Sequence, residues 1–194
     1  MLRLRLVLAT FLVLACASCG EDSASTGPSP SGSPSTSAPT TPSSVPPELA
    51  GYSDVERAAY ETAVVEYDAF IKRSDAFYAA GETTVEAKRF FQRYAVDWSI
   101  AWGNLAQVAN NGITVGGTTR TVWTKPRSIK LGADLGDVIV VRRCLDESGR
   151  VIKQNGKTVD QPQFDEPHVY TIRLEKRPEE DRWRSGIAEQ GQTC

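Results

Sequence analysis

The sequence predicts an α+β domain in which helices come first and a mainly antiparallel sheet follows. Between residues 53 and 110, apolar side chains recur every three to four positions, which is the period of amphipathic helices. After residue 113 the pattern changes to short β-branched runs and alternating residues, which is the period of strands. Residues 48–194 are long enough to form one domain with a core of its own.

The first helix is predicted from a capping box, because Ser53 stands three residues before Glu56. Gly81 is expected to end this helix, since glycine tolerates the left-handed conformation found after many helices. The apolar face repeats through Tyr60, Val64, Tyr67, Ile71, Ser74 and Phe77 or Tyr78.

Two shorter helices are predicted to follow. Thr83 or Thr84 can cap a helix over residues 85–94. Residues 97–108 place Trp98, Trp102 and Leu105 on one face, and the Asn-Asn-Gly sequence at 110–112 is expected to stop this third helix.

The first strand signals lie on either side of Gly116-Gly117. Residues 113–115 and 121–123 flank these glycines, a pattern that indicates either a hairpin or a bend. Pro126 restricts the run that follows to a sheet edge or a β-bulge, because proline has no backbone N–H to donate.

The strongest strand signal is the β-branched run within residues 138–145. Residues 169–175 alternate between apolar and polar side chains, which predicts a strand with one wet face. The polar segment 147–167 between them is expected to be a loop or a loose hairpin that turns at Asn155-Gly156. Residues 183–187 are predicted to begin the last strand.

Two of the four cysteines, Cys144 and Cys194, lie in the predicted domain. An even count in an exported domain favours a disulfide; the alternative is two unrelated thiols. In a simple meander one strand separates the two cysteines, a gap of ~9.6 Å, whereas a disulfide requires Cα atoms within ~7 Å. We therefore expect the last five residues to curl inward as a clasp rather than to form a strand.

Residues 1–15 have the features of a signal peptide, because two arginines precede a ten-residue apolar region at positions 6–15. An apolar run of that length is too short for a spanning helix, which needs ~20 residues. The sequence Val13-Leu14-Ala15-Cys16 resembles the bacterial lipobox, which implies cleavage before Cys16 and a diacylglyceryl, palmitate-type lipid on its sulfur.

Two alternatives to lipidation at Cys16 stay open. One reason is that Leu14, at position −2 of the lipobox, is larger than the residue that is common at this position. Cys19 could be the modified residue, although its −3 place holds Cys16, where Leu or Val is usual. Otherwise a secretory signal could be cleaved near Ala17 with no lipid attached.

Residues 16–47 are predicted to be the lipidated N-terminus and a disordered tether. From residue 23 to residue 47, all but three of the 25 residues are Ser, Thr, Pro or Gly, so the segment has little apolar area to bury. Its extended limit is roughly 75 Å and a flexible chain would span about 30 Å. The segment is interpreted as a stalk or a simple spacer.

The domain resembles the nuclear transport factor 2-like fold, a cystatin-like cone, and in particular exported actinobacterial lipoproteins of that fold. The resemblance rests on the strand that leads to Cys144 and Asp146, a later Gly156, the strand 169–176, and Trp183 leading to a terminal cysteine. It covers about residues 50–194 and implies helices packed on a curved sheet, where the long helix often leaves a pocket. Function varies widely on this fold.

Enzymes of this fold, such as ketosteroid isomerases and polyketide cyclases, place an Asp, His or Tyr inside the cone. The corresponding candidates are Tyr60, Tyr94, Asp97 and His168, but Asp97 is equally suited to cap a helix and His168 is expected to be exposed. We therefore predict no catalytic residue. The residues that we expect to line a pocket are Tyr60, Tyr94, Asp97, Trp98, Trp102 and Trp123.

A net charge of −2 with both signs mixed along the chain argues against nucleic acid as a partner. One histidine leaves few ligands for a transition metal, and no metal or cofactor is predicted. The sequence therefore predicts a non-enzymatic lipoprotein on the outer face of the cell membrane that binds a protein or a small apolar ligand. The alternatives are an isomerase or cyclase that uses the cone pocket, and a structural component of the envelope.

Overall fold

The computed structural model describes residues 45–161 and 164–194. The predicted signal peptide, the lipobox and most of the tether lie outside these residues. Within them, three α-helices precede eight strands, so the predicted α+β class and the helix-first order are confirmed. The elements are a 3-10 helix at Pro47–Leu49, α1 Asp54–Ala80, α2 Val85–Tyr94, α3 Trp98–Asn110, β1 Ile113–Gly117, β2 Arg120–Lys130, β3 Asp137–Asp146, β4 Arg150–Gln154, β5 Lys157–Val159, β6 His168–Lys176, β7 Arg184–Ser185 and β8 Glu189–Thr193.

Helix α1 begins and ends at the residues that the sequence indicates. The Ser53 hydroxyl accepts the Glu56 N–H at 3.3 Å, and the Glu56 carboxylate accepts the Ser53 N–H at 2.8 Å, which completes the capping box. Gly81 ends the helix with a φ of 64°. A Cβ there would lie 2.8 Å from the Thr114 side chain, so the position favours glycine for space as well as for conformation.

The two shorter helices also match their predictions. Thr84 is the cap of α2, because its hydroxyl accepts the Ala87 N–H at 3.0 Å. Asp97 stands at the N-cap position of α3, but its side chain makes no capping hydrogen bond. Across the residues that the structure describes, no helix combines the length and the apolar character needed to cross a bilayer.

The strands form two sheets. The larger sheet has the order β2-β3-β6, with both β7 and β8 paired to β6, and the smaller sheet has the order β1-β4-β5. Strand β2 is an edge strand, and its register shifts between Pro126 and Ser128. Both outcomes predicted for Pro126, an edge and a bulge, are therefore confirmed.

Of the two alternatives predicted at Gly116-Gly117, the bend is confirmed and the hairpin is not. Strand β1 pairs with β4, and β2 pairs with β3, so the two strands that flank the bend belong to different sheets. Gly117 has a φ of 85°, and a Cβ on it would lie 2.2 Å from the Gly149 carbonyl oxygen. The glycine thus permits close contact between β1 and the start of β4 rather than a tight β-turn.

The polar segment between β3 and β6 contains the loose hairpin that the sequence predicts. Strands β4 and β5 pair across a turn in which Asn155 has a φ of 49° and Gly156 a φ of 79°. Strand β4 pairs on its other side with β1, which directly follows the helical region. The hairpin therefore joins the two halves of the chain.

Side chains of α1 divide the core into two clusters. The first lies between α1 and the inner face of the larger sheet, and the second lies between the C-terminal half of α1, α2, α3 and β1. The first cluster includes Tyr60, Tyr67, Ile71, Ile139, Val141, Tyr170, Ile172, Leu174 and Trp183, and the second includes Phe77, Tyr78, Phe91, Leu105, Val108 and Val115.

The predicted disulfide between Cys144 and Cys194 is present, with a Cα–Cα distance of 6.0 Å. Strands β3 and β8 lie on opposite sides of β6 and run in the same direction, as a meander requires. The predicted terminal clasp is wrong, however, because residues 189–193 form strand β8. Only Cys194 passes the start of β6, where its N–H donates to the Pro167 carbonyl at 3.0 Å.

Pairing with β6 satisfies the backbone groups of β8, which a free clasp would leave to solvent. The predicted strand over residues 183–187 is also shorter than expected, since β7 has only two residues.

Candidate binding cleft

A cleft of about 550 Å³ opens between α1, α2 and the loop that joins β6 to β7. Its lining is aromatic at the base and charged at the rim. The residues that line it are Glu66, Ala69, Phe70, Arg73, Phe90, Arg93, Tyr94, Asp181 and Arg182.

Helical spacing brings these side chains together. On α1 the lining residues stand at intervals of three, four and seven positions, which places them on one face of the helix. On α2, Phe90 is followed by Arg93 and Tyr94 three and four positions later, the same arrangement. Each helix therefore contributes one continuous wall.

Stacked rings form the base of the cleft. The rings of Phe70 and Phe90 are nearly parallel, with an interplanar angle of 9° and centroids 5.4 Å apart. Tyr94 continues the row, with its ring centroid 5.1 Å from that of Phe90. Phe70, Phe90 and Tyr94 are only partly buried, so the cleft presents apolar ring surface to a ligand.

Polar contacts hold the three walls in place. An ion pair between Arg73 and Glu86 joins α1 to α2. The Glu66 carboxylate accepts the Trp183 N–H at 2.7 Å, which ties the β6–β7 loop to α1. Arg184 donates to the Ala95 carbonyl at 2.7 Å and ties β7 to the end of α2. The cleft is thus formed by the fold itself, as small-molecule sites usually are.

The charged groups at the rim are unequally paired. Arg182 donates to Asp181 at 2.9 Å, and this hydrogen bond holds the pKa of the Asp181 carboxyl below its ordinary value, with a smaller contribution from the charge of Arg93. Arg93 lies over the Tyr94 ring, with 5.5 Å between the guanidinium carbon and the ring centroid. Among the residues that the structure describes, Arg93 has no ion-pair or hydrogen-bond partner.

Of the six predicted pocket residues, only Tyr94 lines this cleft. Tyr60 is buried in the first core cluster, and Trp98 and Trp102 pack against the second. Asp97 is exposed and lies outside the cleft lining. The structure therefore does not bring these side chains together around one cavity.

Trp123 lies on the opposite side of the larger sheet. It pairs with Cys144 in the β2–β3 register, and directly paired residues share a face. The neighbouring Arg143 points to the helices, since it donates to Asp68 of α1 at 2.6 Å. Because side chains alternate along a strand, Cys144 and Trp123 face away from α1.

Most of the cleft residues were missed by sequence reasoning. Arg73 and Arg182 line the cleft, although neither is among the residues that the sequence predicts for a pocket. The signal that could have identified the site is the spacing of Phe90, Arg93 and Tyr94, which places aromatic and cationic side chains on one helical face.

A second group, of ionisable side chains that are buried or partly buried, lies where the two sheets meet, and we call it the buried charge cluster. It consists of Glu147, Arg150, Tyr170 and Asp75. Arg150 donates to Glu147 at 2.6 Å, both side chains are only 2% exposed, and the Tyr170 hydroxyl donates to the other Glu147 oxygen. A buried ion pair of this kind is costly to disrupt because either partner alone would be a buried charge.

Asp75 of α1 is the member of this cluster with an unsatisfied oxygen. Its Oδ1 atom is buried and accepts no hydrogen bond from the residues in the structure. Burial raises the pKa of Asp75 to about 8; the negative charge of Glu147 adds to the rise, whereas the positive charge of Arg150 opposes it. The carboxyl group is therefore largely protonated at pH 7.

Within residues 45–161 and 164–194, no group of three or more His, Cys, Asp or Glu side chains could hold a metal ion.

The disulfide gives independent information about the compartment. Disulfides persist in oxidising environments and are rare in the cytosol, so the Cys144–Cys194 bond indicates an extracytoplasmic location.

The chain matches no known family model and no curated protein. Among solved structures, it is similar to the crystal structure of the intermembrane space region of the chloroplast protein ARC6. The two chains are 9% identical, the similarity covers 70% of this chain and 95% of that chain, and the TM-score is 0.36. A TM-score this low carries no argument about the function of this chain.

Proposed function

We propose that this protein is an exported, membrane-tethered binding module without enzymatic activity, and that it binds a small apolar ligand in the cleft between α1 and α2. The observation that carries the proposal is the cleft itself, with its base of stacked aromatic rings and its preformed walls. The disulfide supports export, and the lipobox-like sequence that ends at Cys16 supports the membrane tether.

The dimensions of the cleft suit a small molecule. Its volume of about 550 Å³ falls within the range of roughly 300–1,000 Å³ that is typical of ligand sites. A ligand that buries about 200 Å² of apolar surface there would gain roughly 5 kcal/mol before the cost of association is subtracted. We therefore expect weak binding, with dissociation constants of about 0.2 mM or above for a ligand held by apolar contact alone.

The position of the predicted catalytic candidates supports a binding role. Tyr94 reaches the cleft, but Asp97 is exposed and outside its lining. The two carboxylates in the lining are Glu66, which accepts a backbone N–H, and Asp181, which accepts hydrogen bonds from Arg182. Both are engaged as acceptors, an arrangement suited to holding the walls together.

The arrangement of helices on one face of an antiparallel sheet also supports the proposed relation to nuclear transport factor 2-like lipoproteins. Helix α1 covers the inner face of the larger sheet. The sheet interior is filled by Tyr60, Tyr67 and Tyr170, so the proposed ligand site lies beside the helices rather than inside the cone.

Substitution of Ala69 by tryptophan tests the cleft, because this residue is exposed and lines the site. The probe is N-phenyl-1-naphthylamine, a neutral aromatic molecule that fluoresces in apolar surroundings. We expect the wild-type chain to bind the probe and Ala69→Trp to weaken binding by about tenfold or more. Ala76→Trp is the matched control, since Ala76 is also exposed on α1 but does not line the cleft. If the wild-type chain gives no saturable signal, or if both variants bind like wild type, the cleft is not a binding site.

The membrane tether is tested separately by intact mass measurement of the full chain extracted from membranes. The proposal expects loss of residues 1–15 and addition of acyl chains at Cys16. An unmodified Cys16 thiol in the extracted protein would contradict the tether at that residue, and a lipid on Cys19 would move the site by three positions.

A further inference from the structure

We infer that the ligand of the cleft is a small organic anion with a flat apolar body, and that Arg93 binds its anionic group. This inference rests on the proposed function, since it specifies the chemistry of the ligand in the same cleft. The apolar body would lie on the stacked rings, and the anionic group would lie at the rim.

The charges of the cleft favour an anion over a cation. Three arginines, Arg73, Arg93 and Arg182, line the site, against two carboxylates. Both carboxylates are engaged through one oxygen atom, because Glu66 accepts the Trp183 N–H and Asp181 accepts from Arg182. The arginines therefore outnumber the carboxylates in the lining by one, and Arg93 is the arginine without an ion-pair partner.

Arg93 is the arginine with open hydrogen-bonding capacity. Arg73 forms an ion pair with Glu86, and Arg182 with Asp181. Arg93 lies over the Tyr94 ring and its charge also acts on Asp181, but it forms no hydrogen bond or ion pair with the described residues. A guanidinium group has five N–H donors in a planar fork that matches a carboxylate, a phosphate or a sulfonate.

The surroundings of Tyr94 place the anionic group and the flat body side by side. The guanidinium carbons of Arg93 and Arg182 lie 5.5 Å and 5.8 Å from the centroid of this one ring. The ring continues into the stacked pair of Phe70 and Phe90. A ligand that stacks on these rings therefore brings its edge close to the open donors of Arg93.

Two probes with the same aromatic body separate the charge from the apolar contact. 8-Anilinonaphthalene-1-sulfonate carries an anionic group, whereas N-phenyl-1-naphthylamine does not. We expect the full chain to bind the sulfonate about fivefold to tenfold more tightly, since a hydrogen bond to a charged group contributes on the order of one factor of ten. Salt at about 0.5 M should weaken only the sulfonate, because screening acts on the charge.

Substitution of Arg93 by glutamine identifies the residue responsible. In Arg93→Gln we expect the preference for the sulfonate over the neutral probe to disappear, so that the two probes bind with about equal affinity. Arg89→Gln is the matched control, because Arg89 is an exposed arginine on the same helix that does not line the cleft. It should retain the preference for the sulfonate.

The outcomes distinguish this inference from the proposed function. If both probes bind the wild-type chain equally and Ala69→Trp blocks both, the cleft binds ligands but the anionic class is wrong. If Arg93→Gln keeps the full preference for the sulfonate, Arg93 is not the anion-binding residue and the inference is overturned. If neither probe binds, the proposed function fails together with the inference.

Discussion

The substitution Asp75→Asn tests whether the buried charge cluster contains a protonated acid. Asparagine has nearly the shape of protonated aspartic acid and cannot ionise. The ordinary pKa of 3.8 applies to the unfolded chain, whereas burial raises the folded value to about 8. Between these values the unfolded state is ionised and the folded state holds a proton, so the free energy of unfolding falls as the pH rises from about 4 to about 8.

The structure sets the size of this effect. The full pKa difference corresponds to an upper limit of about 6 kcal/mol above pH 8. The Asp75 side chain is only partly buried, so water screens the charge and we expect about 2 kcal/mol instead. Asp75→Asn should therefore be more stable than wild type by about 2 kcal/mol at pH 8, and the difference should shrink toward pH 4.

Urea denaturation followed by tryptophan fluorescence at pH 5, 6, 7 and 8 measures this difference. Glu61→Gln serves as the control, because it removes an exposed carboxylate from the same helix. The wild type and Glu61→Gln should lose stability in parallel over this pH range, whereas Asp75→Asn should lose less. If Asp75→Asn loses as much free energy of unfolding between pH 5 and pH 8 as wild type does, Asp75 is ionised in the folded protein.

Three further predictions concern the fold. Replacing both Cys144 and Cys194 by alanine opens a loop with a sequence separation of 50 and should lower the free energy of unfolding by about 4 kcal/mol in the chain-entropy treatment; equal urea midpoints for the variant and the oxidised wild type would contradict this. Gly136→Ala should lower the free energy of unfolding by about 2 kcal/mol or more, because Gly136 has a φ of 104° and a Cβ would lie 2.3 Å from the Lys176 carbonyl oxygen. An unfolding temperature within one degree of wild type would show that the backbone at the start of β3 shifts to accept the Cβ without strain. Ser53→Ala should lower the free energy of unfolding by about 1 kcal/mol, because it removes the cap of α1, and Ser53→Thr should retain most of that stability. Equal stability of the two variants would mean that the cap contributes little.

The local features of the chain were predictable because they depend on neighbouring residues. The capping box at Ser53 and the glycine at position 81 mark the two ends of α1, since both act through backbone groups within one helical turn. The bulge at Pro126 follows from the missing N–H of proline. The disulfide was predictable from the cysteine count and the export signal, which need no coordinates.

Strand partners were less accessible to sequence reasoning. β1 pairs with β4 rather than with β2, the strand that follows it. The short alternating run at residues 113–115 of β1 fits either partner. β8 is a polar strand, Glu-Gln-Gly-Gln-Thr, without the β-branched or apolar alternation that indicates a strand. It forms because β6 offers an open row of backbone donors and acceptors, and this pairing is visible only in three dimensions.

The sequence by itself determined the class of the fold, the limits of the helices, the central strand and the cysteine pair. Only the tertiary structure decided where a ligand could bind. The cleft requires Phe70 from α1, Phe90 and Arg93 from α2, and Arg182 from the β6–β7 loop, segments that are far apart along the chain. Periodicity reports which face of a helix is apolar, but the gap that remains between two helices and a loop depends on how all three pack.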